Sequence, residues 1–134
     1  MSDAQTAATR AAIERLYAAY LAGDLDGMLA EMSDDVLVTF LGHGTFRGKS
    51  AVRPYMTWGG AQLPRLDFHI RRTIVEGDGA AVVWDETGTT ARGEPWASQG
   101  VDVYRVAGGK IIAMTVYSDT EKLLRQIGPY PGSA

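Results

Sequence analysis

At residue 65 the apolar pattern of this chain changes period, and that change limits the folds open to it. Before it, Ile13, Leu16, Tyr17, Tyr20 and Leu21 recur at i, i+3, i+4, i+7 and i+8, the single stripe of an amphipathic helix. After it, Leu66, Phe68, Ile70 and Ile74 hold even positions against Asp67, His69, Arg71 and Thr73, the alternation of a strand with one buried face. Three further strand-like segments follow at 80–91, 96–106 and 111–117, set apart by Gly77-Asp78-Gly79, Arg92-Gly93-Glu94-Pro95 and Ala107-Gly108-Gly109-Lys110. Helices first and an antiparallel meander afterwards predict an α+β fold, with helices packed on one face of a curved, mainly antiparallel sheet.

The first half adds detail. Gly23 stops the first helix, whose start Asp3 or Thr6 could cap, and Asp24 caps a short second helix carrying Leu25, Met28, Leu29 and Met32. Residues 35–41 read as a strand that Gly42-His43-Gly44 breaks. Thr45-Phe46 extends briefly, and a third helix runs from about Ser50 to Trp58. Asp119 caps a last helical segment over 121–127. Residues 1–128 form one domain and 129–134 a loose tail, because 134 residues leave no room for a second core.

Composition works by exclusion. With no cysteine, thiolate metal sites, iron–sulfur clusters and disulfides are ruled out. The two histidines, His43 and His69, lack metal-ligand spacing, so neither a metal nor another cofactor is expected. A net charge of −3 with no basic block speaks against nucleic acid as a partner. Asp3, Arg10, Glu14 and Arg15 interrupt the N-terminal apolar residues, which argues against a signal peptide or a membrane span and for a cytoplasmic protein.

Several strings carry a resemblance: Ala22-Gly23-Asp24-Leu25-Asp26 between two helices, Phe46-Arg47-Gly48-Lys49 before the third, Gly108-Gly109-Lys110-Ile111 in a late hairpin, and the close Tyr117-Ser118-Asp119 with Leu123 to Gly128. Together with the element order, they make the chain resemble the SnoaL-like branch of the nuclear transport factor 2-like superfamily, whose members include ketosteroid isomerases, polyketide cyclases and epoxide hydrolases. The resemblance implies a cystatin-like cone with a pocket between the concave sheet face and the first and third helices. It also implies a homodimer through the convex face, where His69 would point. Of the three functional positions of ketosteroid isomerases, two fall on Leu16 and Phe40 and only Asp102 matches. The hydrolase Arg-x-Asp falls on Val83-Trp84-Asp85, and its partnering carboxylate falls near Val116, so only Asp85 is kept. Neither mechanism carries over intact.

Period-two alternation groups Asp102, Tyr104, Met114 and Val116 on one face, and the resemblance implies that this face is the one lining the cone. A carboxyl among apolar side chains holds its proton more tightly, so Asp102 is the first candidate acid/base residue. Asp85 and His43 are candidate helpers, Asp85 if it faces the cone and His43 at its mouth. Tyr20, Phe40, Tyr55, Trp58, Tyr104, Met114 and Val116 are the candidate substrate-binding side chains, while Tyr17 reads as core. The expected function is cofactor-independent acid/base chemistry (isomerisation, cyclisation, dehydration or epoxide opening) on a small apolar oxygenated molecule such as a polyketide or terpenoid. The alternative is a non-catalytic binding or dimerisation protein of the same fold.

Overall fold

The computed structural model describes residues 3–132. Helix α1 (Asp3–Leu21) and the short α2 (Leu25–Ala30) lead into β1 (Met32–Phe40) and β2 (Gly44–Arg47), and α3 (Lys49–Gln62) follows. The second half is β3 (Arg65–Glu76), β4 (Gly79–Thr89), β5 (Pro95–Ala107), β6 (Lys110–Ser118) and α4 (Thr120–Gln126). The strands form one six-stranded sheet in the order β2-β1-β6-β5-β4-β3, antiparallel throughout except where β1 runs parallel to β6. The expected α+β arrangement is thus present. Asp24 and Asp119 cap α2 and α4, each accepting a backbone N–H three residues on.

α1 packs across β3 to β6, and α3 covers β1 and β2. The core between helices and sheet includes Ile13, Leu16, Val38, Val52, Val82 and Tyr104. α1 is also tied to the β3–β4 hairpin by polar contacts. Thr9 Oγ1 donates to the Gly77 carbonyl at 2.6 Å, and the Gly77 N–H donates to Thr6 Oγ1 at 3.0 Å. Thr6 therefore grips the hairpin from inside the helix and does not cap the helix start. No helix among the described residues is long and apolar enough to cross a membrane.

Two expectations are corrected. Ile74 does not share the face of Leu66 and Phe68. The pairing of β3 with β4 shifts between Ile70 and Arg72, leaving Arg71 as a bulged extra residue. One extra residue reverses the side-chain parity, so Ile74 turns outward and is 46% exposed while Val75 turns in. The tail expected to be loose is also partly packed. The Tyr130 ring meets Phe46, Tyr55 and Trp58 at centroid distances of 5.1 to 5.4 Å. Residues 133–134 of that segment lie outside the described residues.

Replacing Thr9 by Val keeps the volume and leaves the Gly77 carbonyl without its buried donor. Thr9→Val is expected to lower stability by about 1–2 kcal/mol, read from the midpoint of urea unfolding. An unchanged midpoint would show that the helix–hairpin tie contributes nothing.

Candidate functional site

The concave face of the sheet, α1, α3 and α4 enclose an open cavity of about 640 Å³. Its walls are apolar and aromatic. All seven side chains expected to line a pocket do so: Tyr20, Phe40, Tyr55, Trp58, Tyr104, Met114 and Val116. The grouping of Asp102 with Tyr104, Met114 and Val116 follows from the β5–β6 register, which sets Asp102 opposite Val116 and Tyr104 opposite Met114.

Asp102 is 5% exposed and holds three donors. Tyr17 Oη donates to Oδ2 at 2.5 Å, Trp84 Nε1 to Oδ1 at 2.8 Å, and Tyr104 Oη to Oδ2 at 3.4 Å. The Tyr17 and Tyr104 hydroxyls lie 2.6 Å apart, so carboxyl and phenols form one connected network. Burial pushes the Asp102 carboxyl up to about 6, against the opposing pull of the three hydrogen bonds. The same burial, with the neighbouring acid, raises Tyr17 and Tyr104 far above the ordinary phenol range, so both remain O–H donors.

The Trp84 indole can lie where it does because the residue opposite it on β5 is Gly100. A Cβ at Gly100 would stand 2.6 Å from the Trp84 ring and 2.2 Å from the Tyr117 carbonyl oxygen. The bond from Trp84 to Asp102 therefore depends on a glycine two residues before the acid.

Asp85 is corrected. On β4 the inward side chains are Val82, Trp84 and Glu86, so Asp85 lies on the outer face, cross-strand from His69, and forms a forked ion pair with Arg71. That guanidinium lowers the Asp85 carboxyl below its usual range, and the residue takes no part in the cavity. Glu86, one residue on, occupies the cavity wall instead, with Trp96 Nε1 donating to its Oε2 at 2.8 Å. Burial raises the Glu86 carboxyl, and the charge of Asp102 adds to the rise.

His43 is corrected in role but not in place. It does line the cavity at the α3 side. Its Nε2 lies 2.8 Å from the Gly128 carbonyl, which can only accept, so Nε2 carries the proton. Nδ1 then accepts from Tyr55 Oη at 2.6 Å. With both ring nitrogens engaged within the protein and its pKa lowered by burial, His43 clasps the segment after α4 to α3 and offers a substrate no free base.

With this geometry in hand, the sequence comparison becomes decisive: residues 13–114 match the SnoaL-like domain. The chain belongs to the SnoaL-like family. Solved structures share the fold across nearly all of their length. A protein of unknown function related to nuclear transport factor 2, from Burkholderia pseudomallei K96243, has 22% identity and a TM-score of 0.83, covering 95% of this chain and 98% of its own. TerC, crystallised with polyporic acid, has 23% identity and a TM-score of 0.80 over 90% and 98%. A candidate SnoaL-like polyketide cyclase from Jannaschia sp. CCS1 has 19% identity and a TM-score of 0.83 over 98% of both chains. No curated protein matches the sequence. In this SnoaL-like chain, sequence reasoning placed Asp102 correctly on the concave face and missed Glu86, Trp84 and Tyr17 as its polar companions. With Asp102 inward, the β4–β5 register, which only the folded sheet sets, carries Val82, Trp84 and Glu86 inward with it.

The raised carboxyl has a thermodynamic consequence. Unfolded, Asp102 titrates near the free-carboxyl value of about 3.9; folded, burial pushes it up to about 6. Between those values the folded protein holds a proton that the unfolded chain has released, so this contribution is complete below pH 4 and is lost as pH rises through 6. Relative to Asp102→Asn, the wild type is expected to lose roughly 2 kcal/mol between pH 4 and pH 7, measured as the difference between their urea-unfolding profiles. Parallel profiles would show that the carboxyl titrates as a solvated acid.

Proposed function

We propose that this SnoaL-like protein is a cofactor-independent acid/base enzyme acting on a small apolar, oxygen-bearing substrate of polyketide type. The observation that carries the reading is Asp102. It is a carboxyl raised close to neutrality, set in the wall of an open apolar cavity and coupled to the Tyr17–Tyr104 hydroxyl pair. An acid of this kind is partly protonated at working pH and can exchange a proton with a substrate. When Asp102 is protonated and turns its own O–H to the Tyr17 oxygen, the Tyr17 O–H is released to hydrogen-bond a substrate oxygen on which negative charge develops, so the two groups act as a relay. Isomerisation, aldol-type cyclisation, dehydration and epoxide opening all need this pair of services. The crystallisation of TerC with polyporic acid and the polyketide-cyclase description of the Jannaschia protein support the substrate class.

A second reading, a non-catalytic binding protein, is favoured by the three donors already on Asp102. Asp102→Asn separates the two. Assayed on epoxide, enone and polyketide substrates, the variant is expected to lose turnover by about 10²-fold or more while still binding ligand. Undiminished turnover would sink the proposed role.

We also propose that the outer sheet face joins two copies of the chain. Adjacent rows there bring together Val83, Val101 and Tyr117, then Ile74, Ala81 and Val103. Ile74, Val103 and Tyr117 are large apolar side chains that remain exposed in the single chain. Sedimentation is expected to show a dimer, and Val103→Arg with Tyr117→Glu is expected to give a folded monomer. A wild type that sediments as a monomer would refute the pairing.

A further inference from the structure

The cavity has a second polar station, and the acid/base reading leaves it unused. Glu86 is 8% exposed, and its Oε2 is fixed by Trp96 Nε1. Oε1 makes no hydrogen bond among the described residues, although the side chain lines the cavity. Ser98, directly across from Glu86 on β5, lines the cavity beside it. Tyr20 faces the station from α1, within the electrostatic reach of both Glu86 and Asp102. The row of Trp84 and Gly100 lies between the row of Asp102 and that of Glu86, and no hydrogen bond joins the two acids among the described residues, so they form separate stations. Among the described residues lining the cavity there is no lysine or arginine.

These features fix what the cavity can accept. In its ionised form Glu86, with one oxygen pinned and the other open, is a strong acceptor for a hydroxyl, because a charge-assisted hydrogen bond is worth more than a neutral one. A ligand carboxylate entering the same space would lose its hydration, find no cation and meet two acids of its own sign.

We propose that Glu86 is a substrate-reading residue: its free Oε1 accepts a hydrogen bond from an aryl or enol hydroxyl, and the cavity thereby selects neutral hydroxylated polycycles over their methyl ethers and carboxylates. This deepens the preceding section and rests on its reading of the cavity as the substrate site. It does not depend on Asp102 transferring a proton.

The test is a binding comparison on the full chain at pH 7.5, by calorimetry or tryptophan fluorescence, with 2-phenanthrol, 2-methoxyphenanthrene and phenanthrene-2-carboxylate. The phenol is expected to bind at least about tenfold more tightly than the ether or the carboxylate. Glu86→Gln keeps an oxygen for Trp96 and removes the charge, so the penalty on the carboxylate should shrink by about tenfold. Glu86→Ala should abolish the preference for phenol over ether. Thermal unfolding of both variants confirms that they fold. Equal wild-type affinities for phenol and ether, a ranking unchanged in two folded variants, or no binding of any of the three probes overturns the proposal. Asp102→Asn should leave the preference for phenol over ether in place. A lost ranking beside an Asp102-dependent turnover therefore rejects Glu86 alone, and a kept ranking beside an Asp102-independent turnover rejects only the acid/base chemistry.

Discussion

The carboxyl of Asp102 is the constraint around which the polar interior is arranged. A carboxylate removed from water in an apolar wall is costly unless donors replace its hydration. Here the replacement comes from three elements: Tyr17 from α1, Trp84 from β4 and Tyr104 from β5 itself. The bond from Tyr17 spans 85 positions of sequence and pins the helix layer to the middle of the sheet. Tyr17 also stacks on Phe68, which in turn lies against Tyr20 and Trp84, so the donors are held by an aromatic layer. The hydrogen bonds do not fully offset desolvation, and the residual imbalance leaves the acid near neutrality.

The remaining polar groups divide by face. Inward, Glu86 repeats the Asp102 arrangement in simpler form, one carboxyl with one indole donor. Outward, Asp85, Arg71, His69 and Asp67 pair among themselves in solvent, where such pairs contribute little to stability. Two adjacent acids on one strand, Asp85 and Glu86, thus have opposite environments, because a strand sends successive side chains to opposite faces. At the far end, His43 and Tyr130 close the aromatic group of Tyr55, Trp58 and Phe46 and hold the chain after α4 against α3.

Much of the fold was legible because its information is local. A stripe at helical spacing from Ile13 to Leu21, alternation after Arg65, and Gly-rich hairpins identify the elements and their order without knowledge of any distant contact. The shared face of Asp102, Tyr104, Met114 and Val116 was legible for the same reason. The parity of β4 was not. Ala80 to Val83 is apolar on both faces, so alternation cannot tell which of Asp85 and Glu86 turns in. The orientation of Ile74 was lost at the Arg71 bulge, which no residue of β3 announces.

The sequence by itself determined the class of element at each position, the absence of thiol chemistry, and the placing of one acid on an apolar strand face. It could do so because periodicity and residue type act over a few neighbours. Only the tertiary structure decided what surrounds that acid. The three donors, the glycine that admits Trp84, the exclusion of Asp85 and the occupation of both His43 nitrogens each depend on contacts between segments far apart in the chain. A pKa is set by the whole environment of a group, and that environment exists only once the helices have closed over the sheet.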